Sequence, residues 1–425
     1  MRVAPPRRLR PMTTLPPAGA VSPDELSRLN GLVAQSLPAY LEDLASLVGV
    51  DCGSYTKAGV DRVGRWTALF LERLGARVVT HPNATLGDTV VGTITGTPGG
   101  PRLLLIGHLD TVFPEGTAAE RRYRVENGRA YGPGVADMKS GLLAGLYGLL
   151  ALRALGESLP AGAAMPFERV VFVANPDEEI GSPVSGPVIR DLAREADVCF
   201  VLECARANGD IVSARKGTLD LRITIEGRAA HAGVEPEKGR SAILEAAHLV
   251  IALHALSGRW PGVTCNVGVI EGGIRPNVVA ERTVLQVDLR APTREALATA
   301  EADVRAMAAH PTVPDVRVTV EDIIRHWPME RLPRSARLID HVQALAGRLG
   351  FAVRDAATGG ASDANTTAGL GVPTLDGLGP VGGNDHAPTE YLELDSIVPR
   401  TTLLAALLLA TGRDPDVAGW RQGGR

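Results

Sequence analysis

The chain has 425 residues, of which 22% are charged and 45% hydrophobic, and a formal net charge of -4. That is an ordinary globular composition, and the length exceeds one usual core, so two domains are expected. The mildly acidic balance gives nucleic acid no footing, and no apolar run reads as long enough to span a membrane.

Residues 1–22 are rich in Pro and Arg, as in Pro5-Pro6-Arg7-Arg8. No apolar segment follows the Arg pair, so neither a secretory nor a twin-Arg signal is expected. A disordered tail is expected there, with Met12 as an alternative start, and a cytoplasmic location. Four cysteines, Cys52, Cys199, Cys204 and Cys265, show no CxxC spacing, which excludes a disulfide scaffold or a zinc knuckle. Cys199 and Cys265 fall in strand-like runs and read as packing residues, while Cys204 directly follows Glu203.

Ser22-Pro23-Asp24-Glu25 has the chemistry of a helix start, with Ser22 as N-cap and Pro23 at the first position. A helix to about residue 48 follows, then one over 58–74, then strands over 76–80 and 89–95. Leu103 to Gly107 is a short apolar run that reads as a buried strand, and His108 and Asp110 follow it on one face. A lone His there is commonly a structural hydrogen-bonding residue. The next apolar strand, from Val171, runs into Asp177-Glu178-Glu179. Three adjacent carboxylates are often a solvated turn, but a buried lead-in makes that costly. A third strand, Val198 to Leu202, ends in Glu203. Strands that each deliver acid or imidazole to one sheet edge match where open α/β sheets bind ligands. With Asp137 and His386, two His and three carboxylates suffice for two metal ions, and one carboxylate remains as a base. Mixed His and carboxylate ligation suits zinc, with cobalt or manganese as substitutes.

The pattern changes after Lys216. Leu219, Leu221, Ile223 and Ile225 alternate as in a half-buried strand. A helix over 241–256, strands over 263–271 and 283–290, a helix over 294–309 and a strand over 316–320 complete a β-α-β-β-α-β order, a ferredoxin-like module. The region around Leu332 returns the chain to the first domain, which ends in a helix over 397–411. The expected architecture is a layered α/β catalytic domain with a central, mostly parallel sheet, residues 23–216 and 328–425, into which residues 217–327 are inserted.

The motifs His108-Leu109-Asp110-Thr111-Val112, Gly134-Val135-Ala136-Asp137-Met138-Lys139, Asp177-Glu178-Glu179-Ile180-Gly181-Ser182, Arg228-Ala229-Ala230-His231-Ala232-Gly233, Gly359-Gly360-Ala361-Ser362-Asp363-Ala364 and Gly382-Gly383-Asn384-Asp385-His386 occur in one order along the chain. In this the sequence resembles the M20 family of metallopeptidases, in particular its glutamate carboxypeptidase (carboxypeptidase G2-like) branch. The resemblance implies two zinc ions: His108 and Glu203 on one, Glu179 and His386 on the other, and Asp137 bridging. It implies Glu178 as general base, Asp110 as the partner that orients His108, and a cis peptide after Asp137. It makes the insertion a lid and dimerisation domain, with a homodimer formed through residues 217–327. His231 and Asn277 then complete the neighbouring subunit's site and polarise the scissile carbonyl.

The expected reaction is hydrolysis of an amide bond beside a free carboxylate, in a small molecule or peptide. Release of a C-terminal glutamate is the leading reading. N-acyl-amino-acid deacylation, as in acetylornithine deacetylases and desuccinylases, and amide formation in biosynthesis are the alternatives. Arg290 matches the carboxylate-binding Arg of the family, a role for which a guanidinium fork is suited. Lys216, Arg325 and Gly360 are further substrate-binding candidates. Ala361, where several relatives carry Thr, and Pro276 before Asn277 depart from the family pattern.

Overall fold

The computed structural model describes residues 20–157 and 165–422. Of the expected tail, residues 1–19, with Met12, lie outside the described residues. The remainder is ordered: Val21 is buried and Ser22 caps the first helix, α1 (Pro23–Val48), in a capping box with Glu25. Ser22 Oγ accepts from the Glu25 amide at 3.2 Å, and the Ser22 amide donates to the Glu25 carboxylate at 2.8 Å, so two otherwise orphaned donors are satisfied.

The central sheet contains β1 (Arg77–His81), β2 (Thr89–Thr95), β3 (Arg102–His108), β4 (Arg169–Asn175), β5 (Val198–Val201) and a short strand, Thr374–Leu375. Their spatial order is β1-β2-β4-β3-β5 followed by Thr374–Leu375. β3 runs parallel to both β4 and β5, and Thr374–Leu375 runs parallel to β5. β1 and β2 form the antiparallel edge. The inner strands are apolar almost throughout because helices cover both faces. Leu105, Ile106, Phe172, Val173 and Phe200 are all buried.

Two helical runs, Val135–Gly156 and Leu394–Arg413, are long and apolar enough to cross a membrane by length and composition. The expectation that no apolar stretch reaches that length is therefore corrected. Both are core helices, with 89% and 78% of their apolar windows buried in the fold. The first packs its start against the end of β5: a Cβ on Gly141 would lie 1.7 Å from the Leu202 carbonyl oxygen, so only glycine fits.

A second sheet has its own core. It comprises β6 (Gly217–Glu226), β7 (Thr264–Gly272), β8 (Arg282–Ala291) and β9 (Arg317–His326), in the order β7-β8-β6-β9 and antiparallel throughout. Helices Ala242–His254 and Arg294–Ala309 cover one face. Leu219, Leu221, Ile223 and Ile225 meet Leu249, Leu285 and Leu297 there. The opposite face is polar. β9 extends six residues beyond the expected strand, because a register shift between Asp322 and Ile324 interrupts the alternation by which the sequence reveals a strand.

Leu105 lies at the centre of β3 with no exposed surface. Leu105→Ala is expected to lower the unfolding free energy by about 2–5 kcal/mol, measured by urea denaturation of the metal-free protein.

Candidate metal centre

The register of the parallel strands brings three chain segments to one place. His108, the last residue of β3, pairs with Asn175, the last of β4. On the other side β5 ends at Val201, two residues before Glu203. Beyond β4 the chain turns through Asp177 into the short 3-10 turn Glu178–Ile180. Asp110 is buried beneath this turn. Its carboxylate accepts from the Ser54 hydroxyl at 2.6 Å and from the Glu178 and Glu179 amides at 3.2 and 3.3 Å. Asp177 accepts from the Ser185 hydroxyl at 2.5 Å and the Val184 amide at 2.6 Å. With its main chain fixed in this way, the turn presents Glu178 and Glu179 towards His108.

His108 is oriented chiefly by main chain. Its Nδ1 lies 3.0 Å from the Asp110 backbone oxygen and 3.4 Å from that residue's carboxylate. Nδ1–H therefore donates to the carbonyl, leaving Nε2 as the nitrogen that could bind a metal ion. Nε2 lies 3.0 Å from Asp137 Oδ1 and 3.8 Å from Glu203 Oε1. The other Asp137 oxygen, Oδ2, is 3.1 Å from Nε2 of His386, which is itself 3.2 Å from Glu179 Oε2. Asp137 thus stands between two half-sites, one oxygen turned to each. The Asp137–Met138 peptide is cis, and His386 has a φ of 62°, the left-handed region that a side-chain-bearing residue seldom occupies.

Ligand atoms of His108, Glu178 and Glu203 lie within 4.8 Å of one another, as do those of His108, Asp137 and Glu179. Glu179 Oε1 is buried without a hydrogen-bond partner. An unsatisfied anionic oxygen facing imidazoles and further carboxylates fits a divalent cation, and the donor set of imidazole and carboxylate fits zinc. Burial, then the charge of Glu203, pushes the Glu178 carboxyl well above the usual carboxylate range. Burial, then Asp137, does the same to Glu203. His386 is pushed up to about 11 by Asp137 and Glu179. Without a metal, the imidazoles are the nearest cations that can balance these acids.

The cluster opens into a cleft of about 480 Å³, whose far wall is the polar face of the second sheet. Thr218, Asp220, Asp288, Arg290, Ile324 and His326 line it from that side, and Tyr55 and Ala361 to Asp363 from others. The Arg290 guanidinium holds Asp288 at 2.9 Å and the Gly359 carbonyl at 2.9 Å. Gly360 borders the cleft loop, and its carbonyl accepts from Arg215 at 3.0 Å.

Other candidates lie elsewhere. Arg325 sits between the cleft-facing Ile324 and His326, so strand alternation turns it to the opposite face, where Glu301 and Asp322 hold it. It is not a cleft residue. Lys216 is half-buried and does not line the cleft. Its neighbour Arg215 is the buried cation of this region, 2.7 Å from Asp376. His231 and Asn277 adjoin one another, Ala232 donating to the Asn277 carbonyl at 3.0 Å. Both are exposed and lie outside this chain's own cleft. Cys204 is buried against Asp385 at 3.6 Å, beside His386 in sequence.

Two residues that sequence reasoning did not single out belong to the site. Asp363 accepts from Asn175 and Ser182 at 2.7 Å each and so steadies the acidic turn. Glu390 accepts from three amides of the Asp137 segment. Asp363 was visible only as part of a glycine-rich motif, and Glu390 as an acid following His386.

Comparison with known proteins places this geometry. The family model for peptidase family M20/M25/M40 matches residues 104–410. Carboxypeptidase G2 from Pseudomonas sp. (strain RS-16) is 30% identical over 384 residues, 88% of this chain and 90% of that protein. Acetylornithine deacetylase from Edwardsiella ictaluri is 26% identical over 88% of this chain and 97% of its own. Among solved structures, aminopeptidase PepT from Bacillus cereus superposes with a TM-score of 0.72 at 22% identity, covering 93% of this chain and all of its own, a likeness of fold.

A protein whose carboxylates are relieved by bound cations gains stability from them. Chelator treatment is expected to lower the melting temperature and added Zn²⁺ to restore it, with a stabilisation of about 2.7 kcal/mol when free metal is a hundredfold above its dissociation constant. Thermal unfolding with and without Zn²⁺ measures this.

Proposed function

The chain belongs to peptidase family M20/M25/M40, whose members are metal-dependent hydrolases, and we propose that it uses two zinc ions to cleave an amide bond beside a free carboxylate. The leading substrate is one that releases a C-terminal glutamate. The observation that carries the reaction is Glu178: a carboxyl at the cleft floor, among the ligand atoms of His108 and Glu203 yet pinned from behind by Asp110. In this reading His108 and Glu203 hold one ion, Glu179 and His386 the other, and Asp137 both. The ions, when bound, supply Lewis acidity for the carbonyl and lower the pKa of water. Glu178 takes the proton from the attacking water and passes it to the leaving amine. Burial of Glu178 suits the first half of that task, because it makes the carboxylate a better base.

Arg290 is the proposed anchor for the substrate carboxylate. A guanidinium has more N–H donors than its contacts to Asp288 and Gly359 use, so it is oriented and still able to bind. A second reading is favoured by one feature. Asp220 and Asp288 are directly opposed across β6 and β8, and both line the cleft beside Arg290. Two carboxylates there suit a substrate with a cationic group, as in deacylation of a basic N-acyl amino acid. Glu178→Gln is expected to reduce kcat by at least about a hundredfold while retaining zinc, measured by metal analysis of the purified variant. Amino-acid release from N-acyl substrates ending in Glu, Asp, neutral or basic residues separates the two readings. Release confined to Glu supports the first, and preference for a basic residue the second. Zinc-dependent release of neither overturns both.

We also propose a homodimer through the second sheet and its helices. β7 is an edge strand with Val269 and Ile270 exposed, and Ile243, Leu244 and Ile251 are exposed on the adjoining helix. An unpaired strand edge and exposed apolar side chains on the helix beside it suit a partner. His231 would then reach the neighbouring cleft as an oxyanion donor. Mixing inactive Glu178→Gln with inactive His231→Ala subunits is expected to restore activity, because a mixed dimer contains one site with Glu178 and the other subunit's His231. Absence of recovery after verified subunit exchange would exclude the shared site.

A further inference from the structure

We propose that Glu390 is a positioning residue of the metal centre, its carboxylate fastening the segment that carries Asp137 to the loop that carries His386. The proposal rests on the two-metal reading of the cluster.

Glu390 is 1% exposed. Its Oε2 accepts from the Gly134 amide at 2.9 Å, and its Oε1 from the Ala136 and Asp137 amides at 2.8 and 3.0 Å. The Asp137 segment cannot satisfy these donors by itself. Gly134 is left-handed at φ 72°, and Asp137 departs from helical geometry at φ -108°, ψ 95°. The Gly134, Ala136 and Asp137 amides converge on one carboxylate, while the Val135 amide between them donates to the Gly132 carbonyl at 3.2 Å; the chain's own acid thus fills a backbone anion site. Such charge-assisted hydrogen bonds are the strong ones, and a buried amide without a partner is costly.

The same residue ends the loop that holds His386. Strand Gly382–Gly383 enters that loop and Tyr391–Glu393 leaves it, pairing with Arg129–Tyr131 on the approach to Asp137. Glu390 therefore crosslinks two ligand-bearing segments just beyond the point where their strands part. Its charge is unfavourable so near Asp137. Glutamine would remove that charge but would present an N–H₂ donor to amides that are donors themselves. The arrangement calls for a group that only accepts. Since Asp137 turns one oxygen to each half-site, fixing its main chain fixes both halves relative to one another.

The test is cobalt uptake by the chelator-stripped full chain, followed by visible absorption. Glu390→Gln and Glu390→Ala are compared with wild type and with Asp414→Asn, which loosens a buried network of Arg337 and His341 remote from the cluster. Glu390→Gln is expected to raise the cobalt dissociation constant about 10–100-fold and to shift the absorption bands. Asp414→Asn, though less stable, is expected to keep the wild-type constant and spectrum. If Glu390→Ala does not fold, the nearly isosteric Gln variant carries the result. Wild-type affinity and bands in Glu390→Gln, whatever its melting temperature, would overturn the proposal. A wild-type chain that takes up no cobalt would overturn the metal reading first, and this inference with it.

Discussion

Asp137, Glu178, Glu179 and Glu203 converge on two imidazoles where three parallel strand ends meet. Two like charges 4 Å apart repel by about 4 kcal/mol at an effective dielectric of 20, and several such pairs occur here. The surrounding structure is organised around that repulsion. The buried carboxylates fall into two kinds. Asp110, Asp177, Asp363 and Glu390 spend their oxygens on amides, hydroxyls and a side-chain amide. The acids of the cluster instead turn oxygens towards imidazole or, at Glu179 Oε1, to no hydrogen donor. The first kind builds the walls, and the second awaits charge from outside the chain.

The walls are continuous with the second sheet. Gly359 and Gly360 are adjacent, and each carbonyl is held by a different arginine: Arg290 on β8 and Arg215 in the strand Ile211–Arg215. A few residues on, Asp363 grips Ser182 and Asn175 beside the acidic turn. Hydrogen bonds, joined by the main chain of residues 359–363, therefore run from the cleft-facing surface of the second sheet to the residues that set Glu178. Spatial continuity alone is not coupling, but it identifies the path along which a shift of that sheet would reach Glu178.

Much of this was legible because apolar runs mark buried strands, and chemistry follows where such runs stop. β3, β4 and β5 were readable in that way, with His108, Glu178, Glu179 and Glu203 attached to their ends, and the alternation of Leu219 to Ile225 gave the inner strand of the second sheet. What was not legible depends on long-range approach. Glu390 and the amides it binds are more than 250 positions apart, so no local pattern joins them. Between Arg215 and Lys216, charge alone could not say which side chain turns inward. Arg325 looked available because the bulge that sets its facing leaves no mark in composition.

The two halves of the cluster are not equivalent. His108 is 1% exposed and Glu203 10% in their side chains, whereas His386 is 55% exposed on a loop in the left-handed conformation. Water reaches the outer half at His386 alone, because the side chain of its neighbour Glu179 is only 5% exposed. A cation bound by His108 and Glu203 would exchange against protein packing, and one bound by His386 against solvent, so the outer half depends more on how firmly its loop is held. The only buried acid that ties this loop to the Asp137 segment among the described residues is Glu390. The most solvent-accessible imidazole of the cluster thus lies on a loop whose end is fastened by a buried carboxylate.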